Sequence, residues 1–134
     1  MNLNDTCAAW QPRVLSILRI MTGLLLFAHG TAKILGFPAV QMFANLQLSS
    51  MFGIAGFIEL IFGALLAIGL FSRFSAFILS GLAACAYFIV YAGKSFFPIV
   101  NGGESAVVYC FLLFYLAFAG GGVWSLDAIR KQNG

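Results

Sequence analysis

The chain has 134 residues, the size of one domain, of which 62% are hydrophobic and only 8% charged. An ordinary globular chain has about a quarter of its residues charged, so too few polar side chains exist here to cover a water-facing surface, and a soluble domain is excluded. The net charge of +3 comes from seven Lys and Arg spread along the chain with no basic patch, which excludes nucleic acid as a partner.

Four segments have the length of about 17–25 mostly apolar residues that a membrane-spanning helix needs: 13–35, 51–71, 74–93 and 105–123. They predict an all-α membrane protein, a four-transmembrane-helix antiparallel bundle with a short interfacial segment after the first helix. Residues before Arg13, including Cys7, read as a polar tail. With no basic residue in that tail and an apolar run longer than a signal core, the first helix is expected to be retained. Gly36-Phe37-Pro38 ends the helix. From Ala39 to Ser50, Val40, Phe43 and Leu46 are spaced for one apolar face, which predicts a short helix along the interface.

Ser72-Arg73 joins the second and third spans in a tight antiparallel hairpin. The next connection, Lys94 to Glu104, places Phe96 and Phe97 at the membrane surface, has Pro98 blocking helix, and turns at Asn101-Gly102-Gly103. Trp124 is an interfacial anchor after the last span. Four spans put both termini on one side, with Arg13, Arg73, Arg130 and Lys131, against Lys33 and Lys94 on the other; the positive-inside bias makes the first side cytoplasmic.

The first span carries Arg19, His29 and Lys33. At about 100° per residue, Arg19 and Lys33 return to within roughly 40° of one face, so these charges share a stripe. Ionisable groups at bilayer depth face a bundle interior, a water-filled cavity or the interface, and mark function. Glu59 is the carboxylate well inside a span, aligned with Gly53, Gly56 and Gly63, which permit close helix approach. Counted from the cytoplasmic ends of their helices, Arg19 lies about 9 Å deep, Glu59 about 18 Å and His29 about 24 Å. Two pairings follow. Arg19 with Glu59 is an ion pair that fixes helix register; His29 with Glu59 is a proton-handling couple, since imidazole titrates near neutrality, and suits a quinone, whose reduction takes up protons with electrons. At the outer surface His29, Lys33, Tyr91, Lys94, Asn101 and Glu104 gather at one depth, as a pocket for a polar headgroup or an anion would require. Taken singly, Glu104 is equally explained by the helix dipole and Asn101 by turn formation. Asp127 with Ser125 reads as a clamp on Arg13 or Arg73.

Cys7, Cys85 and Cys110 form no C-x-x-C and no Cys/His cluster, and no haem, phosphate-loop or nucleophile motif is present. Neither a covalently bound cofactor nor a metal is expected.

Arg19, His29-Gly30-x-x-Lys33, Glu59 followed by Gly63, Gly69-Leu70-x-x-Arg73, Asn101-Gly102-Gly103-Glu104 and Ser125-Leu126-Asp127 together resemble the DoxX family. The resemblance implies a four-helix protein of the bacterial inner membrane. Members take their name from a subunit associated with a terminal quinol oxidase; others are linked to thiosulfate oxidation with quinone as acceptor, or to oxidative-stress and quinone-resistance systems. The expectation is a quinone-linked redox accessory of a membrane oxidoreductase, in contact with the bilayer and a protein partner, with self-association as a further option. In it His29 and Glu59 are the catalytic candidates, and Arg19, His29, Lys33, Glu59, Tyr91, Asn101 and Glu104 the binding candidates. The alternatives are a non-catalytic assembly subunit and, with unbroken helices least in its favour, a small-solute carrier.

Overall fold

The computed structural model describes residues 2–41, 44–45 and 47–133 and is helical, with no strand among them. Its helices are α1 (Leu3–Ile34), α2 (Met51–Ile68), α3 (Ser72–Ala86), α4 (Pro98–Asn101), α5 (Glu104–Ala119) and α6 (Leu126–Asn133), and α3 runs on through a π-helical turn, Tyr87–Tyr91. Three helical stretches, Leu3–Ile34, Met51–Ile68 and Ser72–Tyr91, are long and apolar enough to cross a membrane, and Glu104–Ala119 is a shorter apolar helix.

α1 begins ten residues earlier than the apolar pattern indicated. The Asn2 side chain accepts the Asp5 N–H at 2.8 Å, and Asp5 lies in the first turn, where the helix dipole favours a carboxylate. Cys7 therefore sits on a helix, not in a tail, and Pro12 is accommodated inside it. The expected interfacial helix is found only in part: of the described residues of 39–50, Gln41 is 3₁₀-helical and Ala44-Asn45 and Leu48-Ser49 form turns, with Val40 exposed, while Phe43 and Leu46 lie outside the described residues. Pro98 starts α4 instead of blocking helix, because the first helical position needs no N–H.

α1 packs along α2, α2 on α3 and α3 on α5, whereas α1 and α5 share no comparable surface. The α1–α2 contact is made backbone to backbone. A Cβ on Gly23 would lie 2.5 Å from the Ala67 nitrogen, one on Gly30 2.5 Å from the Leu60 nitrogen, and one on Gly63 2.8 Å from the Phe27 nitrogen. Glycines seven apart on facing helices thus let the two axes approach. The buried apolar cluster, Leu26, Leu66, Ala76, Leu79, Leu113 and Leu116, draws on all four long helices. It lies toward the Arg19 end; no residue of 104–112 or of the π turn is fully buried. Outward, residues such as Met21, Leu25, Phe77 and Phe111 present the apolar surface that lipid covers.

Candidate functional site

Arg19 is 1% exposed, and among the described residues its hydrogen bonds all go to backbone carbonyl groups. It donates through Nε to Gly121 O (2.9 Å), through Nη1 to Leu66 O (3.0 Å) and Ala67 O (2.9 Å), and through Nη2 to Trp124 O (2.5 Å). Leu66 and Ala67 belong to the last turn of α2, the carbonyl end of the helix dipole, which attracts a cation. Ser16, one turn earlier on the same face, also donates to Gly121 O (3.1 Å) and accepts the Trp124 N–H (3.0 Å). The guanidinium thereby ties α1, the end of α2 and the loop after α5 into one knot.

Beside that knot Asp127 holds the α2–α3 hairpin. Its carboxylate accepts the N–H groups of Phe71 and Ser72, each at 2.8 Å, and its own N–H donates to Gly69 O at 2.9 Å. Among the described residues Phe71 is the non-glycine residue with positive φ, 52°, and these bonds secure it there. The expected clamp is present with different partners: backbone N–H groups replace Arg13 and Arg73, and Arg73 instead donates to Phe118 O. Burial works against the ionised Asp127, but the Ser72 and Phe71 N–H groups, with the Arg130 charge, outweigh it and hold the carboxyl below the usual carboxylate range.

Glu59 does not meet Arg19. Lys33 Nζ lies 2.5 Å from Glu59 Oε1, with the two side chains only 11% and 7% exposed. The reason is register: the close approach at Gly30 and Gly56 sets Lys33 across from Glu59, with a Gly56 Cβ position 2.8 Å from Lys33 Cβ, while the same register carries Arg19 to the carbonyl end of α2. His29, four residues before Lys33, is exposed and meets the Tyr109 ring edge-on, centroids 6.4 Å apart. Tyr109 lies within electrostatic reach of Glu59. Tyr109 also lines an open concavity of about 400 Å³ with Glu104, Ser105 and Val108.

The expected outer cluster is divided. Asn101 is buried and committed to its own loop, donating to Tyr87 Oη (3.2 Å) and Ser95 O (3.0 Å) and accepting the Gly103 N–H (2.7 Å). Tyr91 packs under Gly103, and Lys94 sits 5.8 Å from the Tyr91 ring centre. Of the outer candidates, His29 meets Tyr109 through its ring and Glu104 joins it through the concavity. Sequence reasoning passed over Tyr109, Ser16 and Tyr87; Ser16, three residues before Arg19 on the polar stripe, was the one carrying a readable signal.

A profile of the DoxX family matches residues 14–92, more than half of the chain and a stretch holding Arg19, His29, Lys33, Glu59 and Asp127's partners Phe71 and Ser72. The chain belongs to the DoxX family. A Haemophilus influenzae relative, described as an uncharacterized protein, is 44% identical over 122 residues, covering 88% of this chain and 91% of its own length. A second uncharacterized protein of that organism is 35% identical over 74 residues, 55% of this chain and 49% of its own. No solved structure matches the chain. This DoxX protein is a multi-pass membrane protein, with α1, α2 and α3 in contact with lipid. The matched segment ends before Tyr109, so the partner that α5 brings to His29 lies outside the family profile.

Proposed function

We propose that this DoxX protein is a quinone-linked accessory of a membrane oxidoreductase system and holds the polar head of the carrier between α1 and α5. One observation carries the reading: His29, the Lys33–Glu59 pair and Tyr109 gather in the half of the helix array that has no buried apolar cluster, where α1 and α5 leave a seam. Ionisable groups at this depth are expensive to keep, and a seam between helices is where a lipophilic ligand reaches them from the bilayer. Among the described residues neither the His29 ring nor the Tyr109 hydroxyl makes a hydrogen bond, so both are available to a ligand carbonyl. Lys33, paired with Glu59, supplies positive charge beside that position, and His29 and Glu59 are the side chains through which protons would pass to the ligand. When bound, a quinone supplies two-electron, two-proton chemistry, and its electrons come from the partner oxidoreductase.

In this reading α1, α2, α3 and α5 form an antiparallel four-span bundle in the bacterial inner membrane, α5 being extended by the Gly120-Gly121-Gly122 segment. Both termini are cytoplasmic, on the side of Arg13, Arg73, Arg130 and Lys131. The test is titration of the purified protein in nanodiscs with short-chain ubiquinone and menaquinone analogues. Saturable binding is expected, weakened about tenfold by His29→Ala and severalfold by Tyr109→Phe; no saturable binding of either analogue to the wild type overturns the proposal.

A second reading, a non-catalytic assembly subunit, draws on the Arg19 knot, whose donors are spent on carbonyls of the fold. It predicts that His29→Ala leaves the activity of the co-purifying complex unchanged.

A further inference from the structure

At the Arg19 end, away from the seam, two arginines lie on exposed aromatic rings. Arg13 sits 4.8 Å from the centre of the Trp10 ring and Arg130 5.1 Å from that of Phe71, and the rings' residues are 51% and 53% exposed. Both pairs belong to one end of the molecule, because a Cβ on Gly122 would lie 2.6 Å from the Pro12 carbonyl oxygen and Asp127 bonds the Phe71 N–H. Between them α6 leaves Leu126 and Ile129 exposed, at 39% and 50%, with Arg130 and Lys131 on the same short helix. Asp127 fixes the start of α6 through three backbone hydrogen bonds, so this arrangement is part of the fold.

We propose that this end is a binding surface for anionic phospholipid headgroups, with α6 as its interfacial helix. An exposed ring capped by a guanidinium matches the boundary of a leaflet, where the ring enters the acyl region and the charge lies level with phosphate. The guanidinium fork meets phosphate oxygens in pairs and keeps its charge while stacked on a ring. Charge complementarity selects the anionic lipid. Arg13, Arg73, Arg130 and Lys131 face two carboxylates here, Asp5 and Asp127, and the second is already committed to N–H groups. Each basic residue near such a surface strengthens attraction about fivefold.

The experiment is native mass spectrometry of the full-length protein released from micelles containing equal phosphatidylglycerol and phosphatidylcholine. Retention of phosphatidylglycerol over phosphatidylcholine is expected, with the preference reduced at least fivefold in R130Q/K131Q and partly restored in R130K. Arg13→Gln alone is the second variant, expected to lower the preference severalfold with wild-type helical content by circular dichroism. Equal retention of the two lipids by the wild type overturns the proposal, as does an unchanged preference in either folded variant. Displacement of the lipid by equimolar inorganic phosphate also overturns it, since the surface would then be a free-phosphate site.

Discussion

Lys33 and Glu59 form an ion pair of 2.5 Å inside the α1–α2 contact, with each side chain at most 11% exposed. Removing one member leaves the other charged group buried without its counter-charge, a change that costs about 3–5 kcal/mol, whereas replacing both with apolar residues of similar volume is often neutral. Glu59→Gln is therefore expected to lower stability by about that amount, and Lys33→Met with Glu59→Met to recover most of it. Unfolding in mixed micelles, followed by circular dichroism, measures both.

Arg19→Lys is expected to behave as a disruptive change. A lysine has three donors on one nitrogen and cannot reach Gly121, Leu66, Ala67 and Trp124 together. At about 1–3 kcal/mol for each buried carbonyl left without a partner, the loss should be about 2 kcal/mol or more. A melting temperature equal to that of the wild type would contradict the carbonyl knot.

The α2–α3 hairpin should loosen in acid. The folded Asp127 carboxyl titrates below its ordinary range, so its contribution to stability is complete above that range and is lost as pH falls through the folded value. Protection factors at Phe71 and Ser72, with the intrinsic pH dependence of amide exchange divided out, are expected to fall as pH drops below the ordinary carboxylate range. Asp127→Asn should show low protection factors at both amides that do not change with pH over the same range.

Gly30→Ala and Gly81→Ala should have opposite signs. The added methyl at Gly30 falls 2.5 Å from the Leu60 backbone nitrogen, which forces the helices apart at a cost of about 1–3 kcal/mol. At Gly81 nothing lies within 4 Å, and alanine in a helix interior gains roughly 0.5–1 kcal/mol. Thermal melts of the two variants side by side check the prediction.

The helices were legible because apolar runs of spanning length have one interpretation in a chain so poor in charge. Their ends were less so, since Asn2 and Asp5 extend α1 through a cap that a hydropathy pattern does not register. The stripe of Arg19, His29 and Lys33 identified the interior face of α1, but not the partners on it. Depth counted along straight helices put Arg19 and Glu59 within reach of each other. The glycine-set register of α1 on α2 decides otherwise, and it depends on contacts between residues more than twenty positions apart. Asn101 shows the same limit: its side chain has the chemistry of a ligand-binding group and is consumed by the loop that contains it.

The Arg19 knot also bears on how the chain enters the membrane during synthesis. Its acceptors at Gly121 and Trp124 lie 102 and 105 residues further along. At about 5–20 residues per second, the ribosome needs on the order of 5–20 s to deliver them. The Leu66 and Ala67 carbonyls are made in the first half of that interval, so the guanidinium has one part of its acceptor set well before the rest exists. Synthesis of the loop after α5 is then the event that completes the knot, so a later part of the chain locks an earlier one.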